Sequence, residues 1–76
     1  MIKELDEVVL TTDLPDDHLK KGDIGTVVLV HKGGDGFEVE FMTLDGETVA
    51  VVTLLGSQVR PSRPGEIPHA RRVTRA

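Results

Sequence analysis

The feature that most constrains the fold is a series of short runs rich in β-branched residues, separated by residues that favour turns. The runs cover residues 7–12, 25–31, 37–44, 47–54 and 59–60. Such runs favour β-strands, and the short connections between them favour antiparallel pairing. A chain of 76 residues has room for one domain. The sequence therefore predicts an all-β fold, a small five-stranded antiparallel barrel spanning residues 1–61.

The segment before the second predicted strand has the composition of a tight turn. Gly22, Asp23 and Gly25 lie within four positions of one another. Asp23 can accept hydrogen bonds from nearby backbone N–H groups, as aspartate does in Asx turns. We expect Ile24 to pack inward and Gly25 to let the backbone bend into the strand.

Other connections also carry turn signals. Asp45 and Gly46 form the dipeptide that most strongly favours a two-residue hairpin loop. Three glycines within residues 33–36 predict a second tight turn. Short helical turns are expected within residues 14–19 and 55–58.

Three of the predicted strands are apolar on both faces, including the first at residues 8–10. Aliphatic side chains stand at consecutive positions in 27–30 and recur on both faces of 49–54, although a half-exposed strand should alternate with polar residues. A small domain without a good helix has little to cover a second apolar face, and such faces often bind partners. We therefore expect a homo-oligomer. The predicted interface consists of Val28, Val30, Val49 and Val51. The alternative is that the C-terminal segment folds back over this face.

Charge is divided unequally along the chain. Residues 1–59 contain four Lys, no Arg and twelve acidic residues, a net charge of −8, whereas residues 60–76 contain five Arg and one Glu, a net charge of +4. Residues 62–76, rich in Pro and Arg, predict a flexible basic tail. Its candidate contact residues are Arg60, Arg63, Arg71, Arg72 and Arg75. These arginines could bind nucleic acid weakly, dock on the acidic surface of this or a neighbouring copy, or serve only solubility.

No residue pattern predicts catalysis. The chain contains no Cys, and its three histidines, His18, His31 and His69, lack the spacing of a metal site. Glu38 and Glu40 share one strand face, which is typical of a solvated acidic surface rather than an acid–base pair. We expect no enzyme activity, no metal and no cofactor. The apolar runs are too short to span a membrane and the N-terminus lacks a signal-peptide core, so we expect a cytoplasmic protein that does not bind membranes.

Residues 2–61 resemble a family of small uncharacterised bacterial proteins, described as a domain of unknown function with an SH3-like barrel. The resemblance rests on residues 5–10, 19–28, 37–41, 45–48 and 58–61. It implies the barrel fold and no established activity. The barrel also resembles the C-terminal domain of nitrile hydratase β subunits, whose metal ligands lie on the other subunit.

Residues 22–28 are similar to the KOW motif of ribosomal and transcription factors, which implies RNA binding. The acidic domain without Tyr or Trp does not favour that function, because single-stranded nucleic acids are usually held by basic grooves with aromatic side chains. We expect a non-catalytic protein-interaction or assembly module that self-associates and serves as an accessory subunit of a larger partner. The alternative is a small nucleic-acid-linked regulatory protein, antitoxin-like or KOW-like, that binds through its Arg-rich tail.

Overall fold

The computed structural model describes residues 1–73, which form five strands joined by turns and by 3-10 helices of three residues each. The strands are β1 (Glu7–Leu10), β2 (Ile24–Val30), β3 (Gly36–Met42), β4 (Thr48–Leu55) and β5 (Val59–Pro61). The 3-10 helices are Pro15–Asp17, Lys32–Gly34 and Gly56–Gln58. In this part of the chain no helix is long and apolar enough to cross a membrane.

All strand pairs are antiparallel, and the strands follow the order β4-β3-β2-β1-β5. Consecutive hairpins join β2, β3 and β4, and β5 returns to pair with β1. The all-β, five-stranded antiparallel prediction is confirmed. The short helical turns expected within residues 14–19 and 55–58 are present as Pro15–Asp17 and Gly56–Gln58.

The core lies on one face of this sheet. Its largest fully buried side chains are Leu10, Leu54, Val8, Val27 and Val39. One hydrophobic cluster draws residues from every strand and adds Leu19 from the loop before β2. Apart from this sheet, the described residues form only 3-10 helices of three residues each.

Strand β2 departs from the simple alternation expected from the sequence. Its register with β3 shifts between Val27 and Leu29, which makes Val28 the extra residue of a β-bulge. Val27 is fully buried and Val30 packs against the core, whereas Val28 and Leu29 are both exposed. The expectation that Val28 and Val30 share a face is therefore wrong, because the bulge reverses the alternation between them.

Strand β4 has a similar irregularity at its start. Phe41 pairs with Ala50 and Met42 pairs with Thr48, so Val49 is left without a partner in the β3 ladder. Val49 packs against the core, whereas Val51 is 54% exposed. The structure thus splits the predicted interface residues into an exposed pair, Val28 and Val51, and a pair that packs on the core.

Gly25 lies inside β2, within the predicted strand over residues 25–31, and its φ is not positive, so the turn role also expected of it is not observed. It pairs with the fully buried Val8, so its α-carbon faces the core. A β-carbon built there would lie 2.5 Å from Val39 Cγ1 and 2.8 Å from Phe41 Cε2. The neighbouring Ile24, expected to pack inward, is on the opposite face and 37% exposed. Gly25 is therefore required for close packing rather than for a bend.

Candidate functional site

The turn that enters β2 is held by the carboxylate of Asp23. Asp23 Oδ2 accepts a hydrogen bond from the backbone N–H of Lys20 at 2.8 Å, and the Asp23 N–H donates to the Lys20 carbonyl at 2.9 Å. Gly22, between them, has a φ of +95°, a conformation that glycine adopts without strain. The predicted role of Gly22 and Asp23 in this turn is confirmed.

The same carboxylate binds an arginine from the C-terminal segment. Arg71 Nε donates to Asp23 Oδ1 at 2.9 Å, and Arg71 Nη2 donates both to Asp23 Oδ2 and to the His18 carbonyl. The side chains of Arg71 and Asp23 are only 30% and 19% exposed. Of the interpretations left open for the arginines, this contact corresponds to docking on the chain's own acidic domain.

The surroundings of Asp23 favour its ionised form. Partial burial opposes ionisation, but the hydrogen bonds from Arg71 and from the Lys20 backbone outweigh it, and the pKa of Asp23 lies below its ordinary value of 3.8. A carboxyl with a lowered pKa in the folded state stabilises the fold above its unfolded pKa, and this contribution is lost as the pH falls through the folded pKa.

We therefore expect Asp23→Asn to lower the free energy of unfolding by about 1 kcal/mol at neutral pH, the size of a partly exposed charged hydrogen bond. The difference from the wild type should begin to shrink as the pH falls below 3.8, where the carboxyl of the unfolded chain takes up a proton, and should vanish once the pH passes the lower pKa of the folded protein. Urea denaturation followed by far-ultraviolet circular dichroism at several pH values measures this. Asp16→Asn, which removes the same charge at an exposed position, is the matched control. A difference that does not depend on pH would contradict the assigned ion pair.

A second ion pair folds the start of the C-terminal segment into a loop. Arg60 Nη1 and Nη2 donate to the two carboxylate oxygens of Glu66 at 3.0 and 2.6 Å, and the Arg63 N–H donates to Glu66 Oε1 at 2.7 Å. The hydrogen bonds from Arg60 and then from the Arg63 backbone lower the pKa of Glu66 to about 2. Glu66, which the sequence analysis did not single out, therefore neutralises one of the predicted contact arginines.

The remaining arginines differ in their surroundings. Among residues 1–73, no ion pair involves Arg63 or Arg72. Arg75 lies outside the described residues. The structure gives one conformation of residues 62–73, which does not test the predicted flexibility of the tail, so that flexibility stays a prediction.

An open groove of about 1050 Å³ separates the C-terminal segment from the β3–β4 hairpin. Its apolar lining includes Leu19, Ile24, Phe41 and Val49, and the walls come from residues 42–45, Glu47 and residues 68–73. The hairpin wall carries acidic side chains and the opposite wall carries Arg71 and Arg72. The groove is thus a cleft between the domain and its own C-terminal segment.

The loop of this hairpin contains the predicted Asp45 and Gly46. Gly46 has a φ of +91°, and Thr43 Oγ1 donates to Asp45 Oδ1 at 2.5 Å. The Glu47 carbonyl accepts a hydrogen bond from the Thr43 N–H at 2.8 Å. The hairpin predicted from this dipeptide is confirmed, but its loop is longer than the two residues expected, because β3 ends at Met42 and β4 begins at Thr48.

The outer face of the sheet carries the two glutamates of β3. Glu38 accepts hydrogen bonds from Thr53 Oγ1 at 2.7 and 2.9 Å, and His31 Nε2 lies 2.5 Å from Glu38 Oε2. The Thr53 hydroxyl and then His31 lower the pKa of Glu38. Glu40 accepts a hydrogen bond from Thr48 Oγ1 at 2.7 Å. Both carboxylates therefore connect β3 to β4, and Glu38 also contacts His31 directly after the end of β2. Among residues 1–73, no three His, Asp or Glu side chains converge as metal ligands.

Aliphatic side chains surround these glutamates on the same face. Leu29 pairs with Glu38, Val51 pairs with Glu40, and both aliphatic residues are about half exposed, at 46% and 54%. Val28 and Leu55 are also exposed, at 42% and 60%. The outer face is therefore a mixed surface, with apolar side chains at β2 and β4 and carboxylates between them.

Comparison with known proteins identifies the domain but no characterised relative. No curated protein and no solved structure matches the chain. The nitrile hydratase and KOW resemblances therefore stay predictions. A family model, described as a domain of unknown function (DUF4926), matches residues 4–61, more than half of the 76 residues. The match includes all five strands and ends with β5, before the segment that carries Arg71. The chain belongs to the DUF4926 family.

Proposed function

We propose that this chain is a cytoplasmic, non-catalytic assembly module with an SH3-like barrel, which self-associates and serves as an accessory subunit in a larger complex. The observation that carries the proposal is the exposure of aliphatic side chains on the outer sheet face. That set consists of Val28, Leu29, Val51 and Leu55. Isolated exposed aliphatic residues are common, but a group on one face of a small domain is typical of a binding surface.

The contacts of the acidic side chains support a structural rather than a catalytic role. Asp23, Glu38 and Glu66 have lowered pKa values, and each accepts hydrogen bonds that join separate parts of the chain. A general acid or base at neutral pH needs a pKa shifted toward 7, and a lowered carboxyl pKa is a shift in the other direction. These groups are therefore suited to holding the fold.

Self-association predicts a molar mass above that of the 8.3 kDa monomer. We expect size-exclusion chromatography with light scattering to give a defined multimer at tens of micromolar protein, and dilution to dissociate it. Refractive-index detection is needed, because the chain has no Trp or Tyr and absorbs weakly in the near ultraviolet. A protein that remains monomeric at high micromolar concentration would contradict the proposal.

The alternative, nucleic-acid binding through the arginines, has weaker support. Arg60 and Arg71 form hydrogen-bonded ion pairs with Glu66 and Asp23, which leaves less free positive charge for phosphate. The same chromatography tests it, because bound nucleic acid would absorb strongly at 260 nm. A monomer that co-elutes with such absorbance, and loses it when residues 62–76 are removed, would favour the alternative.

A further inference from the structure

The two edges of the sheet are built differently. β5 is three residues long, contains Pro61 and carries the charged Arg60. β4, at the opposite edge, is eight residues long, and its sequence Thr-Val-Ala-Val-Val-Thr-Leu-Leu contains no charge, Pro or Gly. Of the two edges, β4 is therefore the long and uncharged one.

An edge strand exposes backbone N–H and C=O groups that can pair with another chain. Soluble proteins block this pairing with short edge strands, proline, lysine or other charges, and β5 combines several of these features. β4 has none of these, although its bulge at Val49 disfavours edge pairing at the start of the strand. From Ala50 onward it pairs regularly with β3, which is its ladder partner among the described residues. Its last N–H, that of Leu55, donates to Gln58 Oε1, so the available edge precedes that residue.

The composition of β4 is compatible with a second copy as the occupant of this edge. Two copies with a net charge of −4 repel each other, and a contact through the uncharged β4 adds no pair of like charges at the interface itself. An antiparallel pair of identical strands also satisfies the two-fold symmetry of the commonest homo-oligomers, since the same surface is used on both sides.

Size and side chains are consistent with such a contact. An eight-residue strand is about 27 Å long at ~3.4 Å per residue. A stable interface buries roughly 800 Å² per partner, and the accessible surface of the chain is 5552 Å². The ladder alone covers less than that, but exposed Val51 and Leu55 lie on β4 and would pack against the second copy beside it.

We propose that β4 pairs antiparallel with β4 of a second copy, which joins two five-stranded sheets into one continuous sheet. This inference rests on the proposed self-association and places the contact at the edge of β4, with Val51 and Leu55 of the exposed outer face beside it.

The test compares two lysine substitutions on the outer face. In the proposed dimer, Val51→Lys places a positive charge on the edge strand β4, close to the same lysine of the second copy. Leu29→Lys places the same charge on the interior strand β2, at a position of similar exposure. Light scattering across a concentration series should give a dissociation constant at least tenfold higher for Val51→Lys than for the wild type. Leu29→Lys should stay within about twofold of the wild type, and circular dichroism checks that both variants fold.

Hydrogen exchange of the wild type tests the same assignment without substitution. Amides in Thr48–Leu55 should gain protection when the protein concentration rises above the dissociation constant, while amides of β5 should not. If Leu29→Lys dissociates the oligomer as much as Val51→Lys, or β4 amides gain no protection, the contact lies elsewhere and the edge assignment is overturned although self-association stands. A monomeric wild type overturns both.

Discussion

Truncation of Phe41 to alanine is expected to lower the free energy of unfolding by about 4 kcal/mol, as is usual when a buried Phe is lost. Phe41 is 2% exposed and belongs to the core cluster that all five strands share. A domain of this length is stable by roughly 4 to 11 kcal/mol in total. The substitution therefore removes a large part of the stability, and much of the protein is expected to be unfolded at 37 °C.

Urea denaturation followed by circular dichroism, at one fixed protein concentration, measures this change. The matched control is Met42→Ala at the next position of the same strand, where the side chain is 50% exposed. The control should cost less than about 1 kcal/mol, as surface substitutions usually do. Equal losses for the two variants would contradict the assignment of Phe41 to the core.

The Gly25→Ala substitution, which adds a single methyl group, is expected to cost about 3 kcal/mol, at the upper end of the range for overpacking. The new β-carbon would lie 2.5 Å from Val39 Cγ1, 2.8 Å from Phe41 Cε2 and 3.0 Å from the Glu40 carbonyl oxygen. The Glu40 carbonyl oxygen is part of the backbone of β3 and cannot rotate away as a side chain can. We therefore expect β2 and β3 to separate locally.

Gly56→Ala is the control for the same chemical change. A β-carbon at Gly56 would meet no atom within 4 Å, and Gly56 does not have a positive φ. That variant should be neutral or slightly more stable, because alanine restricts the unfolded chain. If Gly25→Ala unfolds at the same urea concentration as Gly56→Ala, the close contact of β2 with β3 would be contradicted.

The strands and most turns could be predicted because their signals are local. Runs of Val and Thr favour strands, and Asp45-Gly46 favours the left-handed conformation that Gly46 adopts with a φ of +91°. The predicted strands agree with the observed ones to within about two residues at each end, and Gly25 lies in both the predicted and the observed second strand.

The bulges could not be predicted from the sequence in the same way. Whether Val28 or Val49 is the extra residue depends on the partner strand, and one such residue changes which later side chains face the core. Strict alternation consequently grouped Val30 and Val49 with the exposed Val28 and Val51. Similarly, the role of Gly25 depends on the Phe41 ring, which another strand supplies.

The ion pairs were only partly predictable. The division into an acidic domain and a basic segment indicated that the arginines could dock on the domain, but not which carboxylates they would meet. Asp23 and Arg71 are 48 positions apart, and nothing local links them. The Arg60–Glu66 pair spans a shorter segment with Pro and Gly, and an Arg and a Glu flanking such a turn are a signal that could have identified it.

The strand order also has a consequence for the sequence of folding events. β2, β3 and β4 are joined by short hairpins and can form early, whereas β5 must return across nearly the whole matched domain to pair Arg60 with Val9. Loop closure of this length is slow compared with hairpin formation. We therefore expect the edge of β4 to form before β1 and β5 complete the monomer, so that the proposed association between copies begins while each chain is still folding.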